Sequence, residues 1–130
     1  MSESKRRTIT LYDRPPVTIR EADWPVLASA EWHWHEGEHE SQAFRTAKAI
    51  LIVRQHDDGR YLVYGIAERY SAWKAECGYE RRGGVLANAN AQVPEVLREV
   101  GERLADKLPD AETIRELIDK CISDLPAEEL

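Results

Sequence analysis

The chain has 130 residues, of which 42% are hydrophobic and 32% are charged, and its formal net charge is −6. This length corresponds to one domain with a core of its own, and four Trp with five Tyr exclude wholesale disorder. The acidic balance disfavours non-specific attraction to nucleic acid or anionic membranes, although it is compatible with a local basic surface.

Cysteine usage and hydropathy give an expectation about the compartment. Cys77 and Cys121 form no CxxC pair, and we interpret both as reduced thiols. The first seven residues are polar and basic, unlike a signal peptide. The longest apolar run, 49–53, is far shorter than the roughly 20 residues that span a bilayer. These features predict a cytoplasmic protein without a membrane segment.

The N-terminus is predicted to be a tail followed by a short strand. Residues 1–7 are interpreted as a flexible tail, and a single α+β domain is expected over 8–126. Residues 8–12 alternate in the manner of a strand, which Pro15 and Pro16 end. Because proline cannot donate a ladder hydrogen bond, we expect this strand at a sheet edge.

Residues 17–24 do not fit one structure. Thr18 and Glu21 have the spacing of a capping box, which predicts one helical turn before Pro25.

A period of two follows Pro25 and predicts a half-buried strand whose tryptophan face points inward. The inward face comprises Val26, Ala28, Ala30, Trp32 and Trp34. The outward face comprises Leu27, Ser29, Glu31, His33 and His35. A polar, acidic loop is expected over 36–43.

The strongest signal is a β-hairpin. Two apolar runs, 44–54 and 60–68, flank the Asp58-Gly59 pair, which favours a tight turn. Residues 47–53 are apolar on both faces of the strand. We therefore expect a central strand that is covered on both sides or forms a dimer contact.

The C-terminal third predicts two amphipathic helices. Pro94 suits the first turn of one helix, and Asp110 suits the cap of the next. Gly101 is expected to interrupt the first helix at a cost of about 1 kcal/mol. The apolar stripes are Val93, Val96, Leu97, Val100, Leu104 and Leu108, then Ala111, Ile114, Leu117, Ile118, Cys121, Ile122 and Leu125. The predicted fold is an α+β antiparallel sheet of about four strands with a C-terminal αα-hairpin packed on one face.

A histidine cluster is the first candidate site. His33 and His35 share one strand face about 6.6 Å apart, and His39 follows in the loop. Two imidazoles with a third ligand can bind a transition metal, so a metal-dependent enzyme is one alternative. The other interpretation is an exposed strand that runs into an acidic loop, with no cofactor.

A basic and aromatic segment is the second candidate. Cations hold phosphates while aromatic rings stack on unpaired bases, so this segment predicts a nucleic-acid-binding module as an alternative. Its residues are Arg69, Tyr70, Trp73, Lys74, Tyr79, Arg81 and Arg82. Packing of the aromatic rings in the core, with the cations solvated or paired, is favoured by the net charge. Gly83-Gly84 is expected to break the element that precedes it.

The helices supply the third candidate. An acidic outer surface can imitate nucleic acid toward a basic partner, although a solvated face is the preferred interpretation. Its residues are Glu95, Glu99, Glu102, Asp106, Glu112, Glu116 and Asp119. No nucleophile elbow or phosphate loop indicates an enzyme, and no catalytic residue is assigned. We therefore predict a small acidic, non-enzymatic interaction or regulatory module that binds a protein. It could be an inhibitor or accessory factor of a nucleic-acid-acting partner. A homodimer is a further possibility.

Overall fold

The computed structural model describes residues 5–36, 45–71, 79–105 and 111–126. Its strands are β1 (Arg6–Ile9), β2 (Val17–Arg20), β3 (Val26–Glu36), β4 (Arg45–Gln55), β5 (Tyr61–Ser71) and β6 (Tyr79–Ala87). Its helices are α1 (Val93–Ala105) and α2 (Ala111–Ser123), and single 3-10 turns lie at Glu21–Asp23 and Asn90–Gln92.

The strands form two antiparallel sheets. The larger sheet has the order β3-β4-β5-β6, and β1 pairs with β2 as a separate hairpin. Both C-terminal helices pack on one face of the larger sheet, which we call the helix face. The predicted α+β fold is therefore confirmed. No helix of the described residues is long and apolar enough to cross a membrane.

The helix face carries the larger core. Alternate positions of the strands supply Ala28, Leu51 and Val63, and the stripes of both helices cover them. Gly65 lets α1 approach the sheet, because a Cβ there would collide with the Leu104 side chain. Gly101 plays the same part toward α2, where a Cβ would lie 2.5 Å from Ile118 Cδ1. The expectation that Gly101 interrupts α1 is wrong, since the helix runs through it.

The opposite face, which we call the hairpin face, carries a second core. The β1–β2 hairpin and Trp24 cover Ile52, Leu62 and Tyr64 there. This packing covers Ile52 of strand 47–53 and leaves Ile50 of the same face only half buried. The second covering layer comes from the N-terminus of the same chain.

The N-terminal elements differ in detail from the prediction. The first strand begins at Arg6, so Arg6 and Arg7 belong to a strand and not to the expected tail. The helical turn before Pro25 exists as a 3-10 turn without a side-chain cap. The capping box does not form, because Thr18 lies in β2, where its hydroxyl oxygen is 3.2 Å from that of Thr8 across the hairpin.

Gly83 and Gly84 lie inside β6, so the expectation that they break the element is wrong. The glycines are needed because neighbours occupy the space of their missing side chains. A Cβ on Gly83 would overlap the Tyr12 ring, and one on Gly84 would lie 2.5 Å from Tyr64 Cβ. Tyr12 N–H also donates to the Gly84 carbonyl at 2.7 Å.

Two further differences concern β3 and the central turn. A register shift between Val26 and Ala28 removes Val26 from the predicted inward face and leaves it 48% exposed. The β4–β5 hairpin is confirmed, and Gly59 takes a φ of 94° in its turn. Asp58 keeps a negative φ, so only the glycine adopts the left-handed region.

Candidate functional site

The described residues cover only part of the hairpin face. The β1–β2 hairpin lies over one end of the sheet, and a groove of about 290 Å³ lies beside it. Its floor is aliphatic, formed by Ile50, Ile52 and Ile66. We call this feature the open groove.

The register of the strands explains the floor and the rim. Glu31 pairs with Ile50 and Ile50 pairs with Ile66, so two isoleucines lie side by side in the middle of the sheet. Two residues further along the strands, the next row on this face consists of His33, Lys48 and Glu68. Because alternate residues share a face, this row borders the isoleucines on the same side of the sheet.

Charges of both signs form the rim. Lys48 Nζ lies 3.4 Å from Glu68 Oε2, and His33 Nε2 lies 3.5 Å from Glu31 Oε2. All four side chains are between 39% and 68% exposed, so these pairs contribute little to stability. Because these ion pairs are weak, the four side chains remain available to contact a bound molecule.

Arg7 and Glu21 mark the hairpin side of the groove. Arg7 Nε donates to Glu21 Oε1 at 2.6 Å, and Arg54 Nη2 lies 3.9 Å from the same oxygen. The hydrogen bond from Arg7 is the largest cause of the lowered pKa of Glu21, with a smaller contribution from Arg54.

Arg54 is the buried charge of the hairpin face, at 7% exposure. Its Nε donates to the Tyr64 hydroxyl and its Nη1 donates to the Trp24 carbonyl, each at 3.0 Å. The guanidinium therefore joins the sheet to the segment after β2. Arg54 holds the wall of the groove in place.

His56, the one histidine outside the predicted cluster, belongs to the β4–β5 turn. Its ring packs edge-on against Trp24 at 5.0 Å, and its Nδ1 accepts a hydrogen bond from the Asp58 N–H. Arg60 donates to the Asp58 carboxylate and lies over the Trp24 ring. The backbone N–H of Arg60 is the largest cause of the lowered pKa of Asp58. These contacts account for His56 through its structural role in the β4–β5 turn.

The predicted metal site is described only in part. His33 is exposed on the hairpin face, and His35 lies in β3 opposite Thr46. His39 lies outside the described residues. Within 5–36, 45–71, 79–105 and 111–126, no group of three His, Cys, Asp or Glu side chains is placed to hold a metal ion.

The predicted nucleic-acid segment is divided by the sheet. Residues 69 and 81 occupy helix-face positions, because Ala67 pairs with Arg81. Tyr70 and Arg82 occupy positions of the opposite face, where Arg82 pairs with Ile66. Trp73 and Lys74 lie outside the described residues. The register therefore assigns the described positions of the segment to both faces of the sheet.

Acidic and basic side chains are nearly equal in number on the described parts of the two helices. The 93–105 helix carries Glu95, Glu99 and Glu102 against Arg98 and Arg103, a net charge of −1. The 111–123 helix carries Glu112, Glu116 and Asp119 against Arg115 and Lys120, again −1. Arg103 also pairs with Glu99 at 2.7 Å. Asp106 lies outside the described residues.

Comparison of the chain with protein-family models, curated proteins and solved structures finds no match in any of the three.

The open groove was not predicted from the sequence. The sequence pattern that pointed toward it was the presence of apolar residues on both faces of β4, which indicated that both faces are covered. The residues that supply the cover, Ile9, Leu11, Ile19 and Trp24, are spread among charged neighbours, so their common packing became evident only in the structure.

Proposed function

We propose that this protein is a non-enzymatic interaction module and that the open groove receives an apolar side chain of a protein partner. The observation that carries the proposal is an aliphatic floor of Ile50 and Ile66 beside weakly paired charges of both signs. An apolar anchor inside a polar rim is the usual arrangement of a protein interface.

The open shape of the groove favours a side chain over a small ligand. Pockets for drug-sized ligands and cofactors enclose about 300–1,000 Å³. The open groove, at about 290 Å³, lies at the lower end of that range but is open to solvent, so it would leave much of a small ligand's surface exposed. One large apolar side chain, with the partner's backbone resting on the rim, matches this shape.

The chemistry of the groove favours protein over nucleic acid. None of the described residues that line the groove is a Phe, Tyr or Trp, so they offer no such ring on which a base could stack. The carboxylates of Glu31 and Glu68 lie among the cations Arg7 and Lys48, so the rim offers phosphates no continuous positive surface. The partner is therefore expected to carry an apolar anchor flanked by charges of both signs.

The sequence also predicts a partner that acts on nucleic acid. Each described helix has a net charge of only −1, which is too small for the helices to imitate nucleic acid. The partner instead contacts the hairpin face.

The test begins with affinity capture of a partner from the source cells and its purification. Calorimetry then compares its binding to the wild type, to Ile66→Asp and to Val26→Asp. Val26→Asp is the matched control, because it makes the same change at an exposed apolar residue outside the groove. We expect Ile66→Asp to weaken binding at least about tenfold, or roughly 1.4 kcal/mol, and the control to leave it unchanged.

Circular dichroism and thermal unfolding verify that both variants are folded. Equal affinity of the partner for Ile66→Asp and the wild type would place the interface elsewhere. Binding of single-stranded nucleic acid that weakens steeply with salt, without a protein partner, would favour the alternative based on Arg82 and its neighbours.

A further inference from the structure

The two edges of the larger sheet are protected differently. At the β6 edge, Tyr12 donates its N–H to the Gly84 carbonyl, and its ring lies against Gly83 with Arg103 stacked 4.4 Å away. At the β3 edge, the described residues supply no second strand, and β4 is the one neighbour of β3. An unpaired edge is a template for another strand.

β3 retains the features of a strand that can pair. Its pairing with β4 is regular over nine consecutive positions from Ala28 to Glu36, and the register shift lies before them. It contains no lysine or proline, two residues that often protect an edge, and its charged residues are Glu31 and Glu36. The partner that such an edge accepts depends on which side chains it places opposite the incoming strand.

A second copy of the same strand can pair in few registers. In an antiparallel pair related by a two-fold axis, opposite residues must lie on the same face of the sheet. The axis therefore passes through a residue and not between two residues. Near the middle of the regular stretch, the choices are Glu31, Trp32 and His33.

Charge distinguishes these registers. An axis at Glu31 places Glu31 opposite its own copy. An axis at His33 sets position 31 opposite position 35 of the other copy, but it also places two imidazoles opposite each other at the centre. Both registers therefore juxtapose identical polar side chains. An axis at Trp32 places Glu31 opposite His33 of the other copy, and does so twice. Both side chains are more than 60% exposed, so they can reach across.

We infer that β3 pairs with β3 of a second copy about a two-fold axis at Trp32, giving a dimer with a continuous eight-stranded sheet. The inference shares Glu31 and His33 with the rim of the open groove, but it does not rest on the proposed function, because its tests measure self-association and not the binding of a partner. In the dimer the two open grooves lie side by side on one surface, so a partner with two anchors would bind bivalently.

Sedimentation velocity over a concentration series tests the dimer. The expected wild-type species has twice the 14.9 kDa mass of the chain. Glu31→Lys should weaken dimerisation about tenfold, and adding His33→Glu should restore it by exchanging the charges. Glu116→Lys, the same change on a helix surface, is the control and should have no effect. A 14.9 kDa species at all concentrations up to about 1 mM would overturn the inference.

Disulfide trapping tests the register. Glu31→Cys and His33→Cys are prepared separately in a Cys77→Ser background, while Cys121 remains because it is fully buried. The inferred register places residues 31 and 33 directly opposite, within disulfide range, and keeps residue 31 about 7–8 Å from its own copy. A mixture of the two variants should therefore form covalent dimers, and neither variant should do so alone. Dimers formed by Glu31→Cys alone, or none in the mixture, would overturn the inferred register.

Discussion

The two faces of the larger sheet are closed in different ways. On the helix face, two amphipathic helices cover a continuous apolar core that includes Leu51, Val63 and Leu97, each fully buried. On the hairpin face, a two-stranded hairpin covers one end through a smaller core that surrounds the Arg54 guanidinium. The helix face therefore buries the larger core, while the hairpin face keeps a groove accessible beside its cover.

The largest expected effect comes from substituting adjacent residues that point to opposite faces. Leu51→Ala should lower the free energy of unfolding by about 3 kcal/mol, because it leaves a cavity in the helix-face core. Ile50→Ala should cost about 1 kcal/mol, because Ile50 is only half buried in the groove floor. Urea denaturation measures both. Equal losses would mean that the two faces contribute alike.

Arg54→Met should cost about 2 kcal/mol, since it leaves the Tyr64 hydroxyl and the Trp24 carbonyl without their buried donor. The loss should be local, with amide protection falling in the β1–β2 hairpin more than in α1. Hydrogen exchange read by NMR measures this difference. Arg60→Met, a change of an exposed arginine nearby, is the control. Uniform loss of protection would show that the hairpin and the helix face open as one unit.

Acid should weaken the hairpin face before the helix face. The pKa of Glu21 is lowered in the folded protein, chiefly by the hydrogen bond from Arg7. The stabilisation that the Glu21 carboxylate gives to the fold is therefore fully present above pH 4.5, the ordinary pKa of a glutamate. It is lost as the pH falls through the lowered pKa. Protection factors of hairpin amides should fall over that range in the wild type and not in Glu21→Gln. A wild-type hairpin insensitive to acid would contradict the role of this pair.

The smallest effect is expected at Cys121 on the helix face. Burial raises the pKa of its thiol to about 11, and the carboxylate of Asp124 adds to the shift. The thiol should therefore stay unmodified by a thiol reagent at neutral pH while the protein is folded. Mass spectrometry of a Cys77→Ser variant measures this directly. Rapid labelling would show that the helix face opens easily.

The parts of the fold that could be predicted have local signals. The Asp58-Gly59 turn is flanked by two apolar runs, and the stripes of α1 and α2 recur at helical spacing, so each was identified from its own residues. The glycines were misinterpreted because the side chains that require a glycine at these positions lie far away in the sequence. Gly83 accommodates Tyr12 and Gly101 accommodates Ile118, and neither contact follows from the neighbouring residues.

The candidate site could be predicted less well than the fold. His33 was identified as an exposed strand residue, and its position on the face opposite the helices is confirmed. The groove itself depends on where the β1–β2 hairpin ends and on the cross-strand register of Ile50 and Ile66. Both are long-range properties, set by the packing of Trp24 and Arg54 and not by a local pattern.

Isoleucine-methyl NMR tests the central claim most directly, because the chain has eight isoleucines distributed over both faces. Ile50, Ile52 and Ile66 form the groove floor, whereas Ile114 and Ile118 are buried in α2. Adding the purified partner should shift the methyl signals of Ile50 and Ile66 and leave those of Ile114 and Ile118 unchanged. Shifts confined to the α2 isoleucines, with the groove signals unmoved, would contradict the assignment of the open groove as the binding site.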